Sequence, residues 1–230
     1  MKNITLLIAA LFYLNTTFAQ ETVVRKHRLT DLITEKISVL KSDKATRQGL
    51  YQAIYLEKTT IASGQFNSDK KTGICHFYDT KGRLLQNYDY TKKTLMYEAV
   101  EDTTSNLRYF VDKQLTDTDH TTKPVKVGGR YFGYLPYFKL FKLPAGLMDI
   151  NRLASMAVVE LLISPGGRLA DFKVHIYSGA NYQKNFNMNI DLLNEEDKEF
   201  IPATLNGEPI GCRIMVRCLI NAEGGIDHLL

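Results

Sequence analysis

Residues 211–221 read GCRIMVRCLIN, and the alternation in this stretch decides the fold. Cys212, Ile214, Val216, Cys218 and Ile220 fall on one face, and Arg213, Met215, Arg217 and Leu219 on the other. A period of two is the signature of a β-strand. The register is well specified, because a one-residue slip would turn every apolar side chain toward water. The strand is expected to form an open sheet edge, with Arg213, Met215, Arg217 and Leu219 as the partner-binding residues on its wet face. A guest strand could add to such an edge through main-chain hydrogen bonds, and the two arginines favour an acidic guest. Cys212 and Cys218 stand six residues apart, about 20 Å in an extended strand. A disulfide needs Cα atoms within about 7 Å, so the pair reads as small buried hydrophobes.

Working toward the N-terminus, Asn206-Gly207 makes a turn and Ile201-Pro202-Ala203 breaks the preceding pattern. LLNEEDKEF, residues 192–200, predicts a short helix over about 190–200, while residues 182–189 fit either an extended or a helical entry. AVVELLI, residues 157–163, is a β-prone run, SPGGR at 164–168 a turn, and residues 169–177 alternate again. Phe172, Val174 and Ile176 take the buried face of that second strand; Asp171, Lys173 and His175 take the wet one. Cys75, the remaining cysteine, could pair with Cys212 or Cys218 only if the two halves of the chain packed closely, which is not expected.

This order of hairpin, helix, Pro-Ala, Asn-Gly-x-Pro and strand resembles the C-terminal domain of TonB, the energy transducer of Gram-negative envelopes. Residues 158–174, the run Phe200-Ile201-Pro202-Ala203, Asn206-Gly207-Glu208-Pro209-Ile210 and the final strand carry the resemblance. It implies a two-layer module, an antiparallel three-stranded sheet with helix packing, that binds partner proteins. TonB itself has an uncleaved membrane helix and a Pro-rich spacer; this sequence shows neither.

The first half contains an internal echo. QGLYQAIY at 48–55 and TGICHFY at 72–78 place two glycines 24 residues apart, each followed by an aromatic strand, a turn and a second strand. The second strands are read at 60–66 and 83–90, and Thr80-Lys81-Gly82-Arg83 is a hairpin turn in which Gly82 takes positive φ. A repeat of this length signals stacked hairpins. The pattern resembles the MORN-like repeats of the YwqK-type antitoxin family, most closely at Tyr78 to Leu84, with Cys75-His76 where a Trp is usual.

The ends and the balance of residues frame these halves. Met1-Lys2-Asn3, an uncharged apolar run over 4–14 and the polar NTTFAQ at 15–20 read as a secretory signal peptide over residues 1–19. At about 11 residues the apolar run is shorter than the roughly 20 a membrane span needs. A formal charge of +4 on scattered basic residues gives no basic stripe of the kind that follows a nucleic-acid backbone. DKQLTDTDHTTKPVK, residues 112–126, is polar and suits an exposed connection. The expected organisation is therefore a signal peptide at 1–19, a MORN-like β-domain at 20–111, a linker or irregular segment at 112–140 and a TonB C-terminal-like domain at 141–230, giving an α+β fold with an N-terminal antiparallel β-meander.

No motif for catalysis or for a cofactor stands out. Gly128-Gly129 and Gly224-Gly225 lack the Lys and helix context of a phosphate loop. His27, His76, His120, His175 and His228 include no pair at metal spacing. Asp117-Thr118-Asp119-His120 reads as an exposed polar loop, and Glu195, Glu196 and Asp197 as a charged helix face. Cys75 and His76, as strand neighbours, point to opposite faces. The expectation is a non-enzymatic protein–protein interaction module of the periplasm, without cofactor, metal, nucleic-acid partner or membrane span after signal cleavage. Its partner would be an envelope protein such as an outer-membrane receptor segment, with a link to TonB-type transport. The alternatives are a repeat-based structural or glycan-binding surface protein and a hydrolase of envelope polymers; a deep pocket holding His76 or His175 beside an acid would favour the last.

Overall fold

The computed structural model describes residues 21–102, 104–148, 150–179 and 182–228. The expected signal peptide lies outside these residues. Seven strands open the chain: β1 (Thr22–Arg28), β2 (Ile33–Leu40), β3 (Arg47–Tyr55), β4 (Thr59–Asn67), β5 (Lys70–Tyr78), β6 (Leu84–Asp89) and β7 (Thr94–Glu98). They pair in sequence order as one antiparallel meander, consistent with the stacked hairpins read from the 24-residue echo. At the 79–83 turn Gly82 has φ +81°, and the Asp79 carboxylate accepts from the Lys81 and Arg83 amides. Cys75 points into the core, while the ring of His76, on the opposite face, meets Asn87 at 2.7 Å.

The chain then lays down β8 (Leu107–Phe110), β9 (Val125–Lys126) and a short helix, α1 (Leu135–Leu140). β10 (Ser155–Ile163), β11 (Leu169–Ser178) and β12 (Tyr182–Asn187) follow, then the short strands β13 (Phe200–Ile201), β14 (Ala203–Leu205) and β15 (Glu208–Ile210), and last β16 (Cys212–Ile220) and β17 (Ile226–His228). The second sheet has six strands, in the order β12-β11-β10-β16-β17 with β8 also on β16. Three strands were expected; β8, β12 and β17 extend the β11-β10-β16 centre. The Asn206-Gly207 turn that joins β14 to β15 has φ of +53° and +89°, the left-handed pair that a tight hairpin demands.

The two sheets share one hydrophobic core. The segment between them fills it. Residues 112–121 are mostly exposed, as a connection should be. From Pro124 onward the chain turns inward, and Tyr131, Tyr134, Leu135, Tyr137, Phe138, Phe141 and Leu143 are all buried. Phe132 stacks on Phe77 of β5, Tyr137 meets Phe172 of β11 edge-on, and Phe141 meets Phe186 of β12. This aromatic layer touches both inner faces, and the halves pack closely where separation was expected. The three cysteines are nonetheless unpaired and buried. Burial pushes all three thiols up, Cys212 to about 11.

A fully buried glutamine fixes the entry to this layer. Gln86 Oε1 accepts from the Gly128 and Gly129 amides at 2.8 and 3.1 Å, and its Nε2 donates to Glu98 Oε2 and the Lys126 carbonyl. A Cβ on Gly128 would lie 2.6 Å from Gly133 Cα, so the close approach and the positive φ both require glycine there.

The expected helix over 190–200 is absent. Two 3₁₀ turns, Ile190–Leu192 and Glu195–Lys198, flank an extended Leu193. Contacts from outside the segment hold it in this shape instead. Lys126 Nζ donates to the carbonyls of Glu196, Asp197 and Glu199 at 2.9, 2.9 and 3.0 Å, and the Tyr137 hydroxyl donates to that of Asp197. With these acceptors engaged from the side, the segment turns away into β13, which pairs with β9.

Candidate functional site

The residues singled out on β16 lie together, on a face and not on an edge. Residues 212–218 of β16 pair with β10; on the other side residues 213–216 pair with β8 and residues 218–220 with β17. Both hydrogen-bonding sides are occupied, so no guest strand can add here and the edge assignment is corrected. Side-chain alternation reports faces; it carries no information on which main-chain edges are paired. Among the second sheet's strands, β12 has β11 as its single neighbour.

Arg213, Met215, Arg217 and Leu219 project from the outer face of the second sheet, the side away from the shared core. The register puts Met215 opposite Glu160 and Arg108, Arg217 opposite Val158, and Arg213 opposite Leu162 and Phe110. The face thus mixes apolar groups with a charged centre; Leu219 and Phe110 are about half exposed, at 48% and 52%.

His175 occupies the middle of this face. It was expected to be solvated, but its exposure is only 8%. Its Nε2 is 2.5 Å from Glu160 Oε2 and its Nδ1 2.8 Å from Asn185 Oδ1. Cross-strand pairing places these groups side by side, with Val158 and Asn185 both opposite His175. Arg213 Nε lies 3.0 Å from Glu160 Oε1, within ion-pair reach, but the N–H direction misses the acceptor, so Nε remains buried without a hydrogen bond. Arg217 Nε is likewise buried without an acceptor, and no carboxylate among the described residues lies within 4 Å of the Arg217 guanidinium. Buried N–H donors left unmatched cost roughly 1–3 kcal/mol each. The His175–Glu160 pair sits on a sheet surface, and His76 meets an amide with no acid, so neither makes the acid-lined pocket that would favour a hydrolase.

A second site was not anticipated. A cleft of about 450 Å³ opens between the inner face of the first sheet, α1 and the two 3₁₀ turns. Tyr51, Tyr90 and Phe132 line one side, Leu135 and Leu140 of α1 another, and Leu192 the rim. The Tyr51 hydroxyl donates to Glu35 Oε1 at 2.6 Å, and Lys71 Nζ bridges to Glu196 Oε2 at 2.7 Å, tying the first sheet to the Glu195–Lys198 turn. Its walls come from segments far apart in sequence. The one signal for it was the aromatic density of residues 131–141, which marks burial.

Asp119, in the polar loop over 117–120, accepts at its two carboxylate oxygens from Thr116 and Asn206, which hold it down at about 2. Among the described residues no three His, Cys, Asp or Glu side chains gather in metal-binding geometry, and no helix is long and apolar enough to cross a membrane. No protein-family model, curated protein or solved structure matches the chain.

Proposed function

We propose that this is an exported, non-enzymatic binding protein of the bacterial envelope that docks an acidic segment of a partner protein on the outer face of its second sheet. The observation that carries this reading is the state of Arg217, whose guanidinium has no carboxylate within 4 Å among the described residues, whereas Arg213 already lies 3.0 Å from Glu160 and 3.7 Å from Asp112. Each has a buried Nε without a hydrogen-bond acceptor, on a face flanked by half-exposed Leu219 and Phe110. A carboxylate arriving from a partner would pair with the Arg217 guanidinium through its terminal N–H groups, the Nε itself being buried, and Met215, Leu219 and Phe110 would supply apolar contact around it. Interfaces of this kind, with arginine and large apolar side chains inside a polar rim, concentrate binding energy in a few residues. Face docking replaces strand addition as the mechanism. Export rests on the signal-like residues 1–19, and the TonB-like order of residues 158–220 agrees with a partner-binding role.

The test is a comparison of captured partners. Protein purified from the envelope fraction, with its mature N-terminus sequenced near Gln20, is cross-linked with wild-type and Arg217→Glu chains. The expected result is one wild-type partner, contacted through an acidic segment mapped by mass spectrometry, whose yield falls at least tenfold in Arg217→Glu. Equal recovery by both chains would count against the docking face, and an intact residue 1–19 segment would count against export by cleavage.

A further inference from the structure

We infer that β1, the free edge of the first sheet, is a strand-addition site for an acidic, extended segment of a partner protein. This edge is separate from the outer face of the second sheet, and the inference does not rest on that face. β1 has β2 as its one strand neighbour among the described residues. The Lys41 amide donates to the Glu21 carbonyl at 2.8 Å and the Leu29 amide to the Ile33 carbonyl at 2.9 Å. In an antiparallel pair these bonds alternate along the strand, so the odd-numbered residues from 21 to 29 turn their main-chain groups toward β2. Thr22, Val24, Lys26 and Arg28 therefore turn theirs outward, where an extended guest could bond them. The edge is also regular. Thr22 to Arg28 pair with Leu40 to Thr34 in one unbroken register, whereas each of the five other pairings in this sheet carries a shift. Short length and bulges are common means of blunting an edge; β1 has seven residues and no bulge.

Charge selects the guest. β1 carries Arg25, Lys26 and Arg28, with His27 among them, and no acid. Lys26 stands directly opposite Lys36 of β2, a like-charge pair that costs stability. The carboxylates nearby have other partners. Glu21 holds Lys41, Asp31 holds Arg28, Glu35 faces His27 and accepts from Tyr51, and Asp43 accepts from Ala45 and Thr46. None of the described carboxylates lies within 4 Å of Arg25, Lys26 or Lys36. A guest's side chains would lie beside those of β1 and one strand removed from Glu35. They would meet Arg25 on one face and Lys26 on the other, with Val23 and Val24 adding an apolar position to each. Lysine on an edge discourages pairing with strands in general, and the class this edge admits is the acidic one. The end strands β7 and β12 show no such bias, with one charged residue each, Glu98 and Lys184.

The probe is the capped peptide Glu-Thr-Glu-Glu-Val-Ile-Thr, written to lie antiparallel to β1 with acids opposite Arg28, Lys26 and Arg25 and apolar residues opposite Val24 and Val23. One control replaces each Glu by Lys. A second keeps the charge and is N-methylated at the residues opposite Thr22, Val24, Lys26 and Arg28, which removes its main-chain donors. Affinity is measured by calorimetry, and amide exchange by NMR, on the whole chain. The expected result is saturable binding of the acidic peptide, with exchange slowed selectively at the Thr22, Val24, Lys26 and Arg28 amides. Both controls are expected to bind at least tenfold more weakly to the unaltered chain. The double change Arg25→Gln and Lys26→Gln is expected to weaken the acidic peptide about tenfold, the size of two exposed ion pairs, and Arg217→Glu to leave it unchanged. Equal binding of the three peptides, protection that does not alternate over residues 22–28, unchanged affinity in the double variant, loss of binding in Arg217→Glu, or absence of saturation would each overturn the assignment.

Discussion

His228 shows how one buried titratable side chain sets a pH limit on this fold. The ring stacks on Tyr131, meets Phe138 edge-on, and has its Nε2 3.1 Å from the Tyr131 carbonyl, to which it donates. Burial pushes it down to about 4, because charging an imidazole among aromatic rings forfeits its hydration. An unfolded histidine titrates near 6.5. Between those values the unfolded chain binds the additional proton, so stability is full above about pH 6.5 and is lost as pH falls toward 4. The loss amounts to roughly 3 kcal/mol, at about 1.36 kcal/mol for each pH unit that separates the folded and unfolded titrations. Urea titrations at pH 7 and pH 4.2 test this against His228→Gln. The wild-type chain is expected to lose roughly 2–3 kcal/mol more than the variant, and parallel losses would contradict the assignment. Gln86 is the uncharged counterpart: its side-chain oxygen seats the Gly128-Gly129 turn and its nitrogen bonds Lys126 and Glu98, and no local pattern in the sequence announces that role.

At the scale of elements, β16 is the centre of the second sheet, with β10 along one side and β8 and β17 along the other. Its amides at 213–220 are therefore expected to exchange with solvent only on global unfolding, on both sides of the strand, whereas alternate amides of β12, which has a single neighbour, exchange faster. Hydrogen exchange read by NMR checks this; fast exchange at every second residue of β16 would contradict the pairing. The strands were legible in the sequence because Ile214, Val216 and Cys218, or Phe172, Val174 and Ile176, repeat with period two. Their edges were not, since main-chain pairing leaves no mark on that period. The helix expected at 190–200 failed for a different reason. Glu195, Glu196 and Lys198 suit a helix by propensity, but Lys126, some 70 residues earlier in the chain, anchors the segment as two 3₁₀ turns through the carbonyls of Glu196, Asp197 and Glu199. Propensity is a weak prior against such a contact.

The molecule as a whole is two antiparallel sheets joined by an aromatic layer that the sequence presents as a connection. Residues 131–141 carry Tyr131, Phe132, Tyr134, Tyr137, Phe138 and Phe141, with neither the strand nor the helix period, so no periodic pattern marks them as core. Packed between the inner faces, they leave each sheet one outer surface for water or a partner. On the second sheet that surface carries Arg213, Met215, Arg217 and Leu219; their common face could be read from alternation, whereas their neighbours Glu160, His175 and Phe110 depended on the sheet order. The most direct measurement of the central claim places a photo-crosslinking amino acid at Met215, with a second chain carrying it at His76 on the outer face of the first sheet. In living cells the account predicts a discrete adduct from position 215, lost when Arg217→Glu is added, and none from position 76. An adduct from 215 that survives Arg217→Glu, or one that forms from position 76 alone, would contradict it.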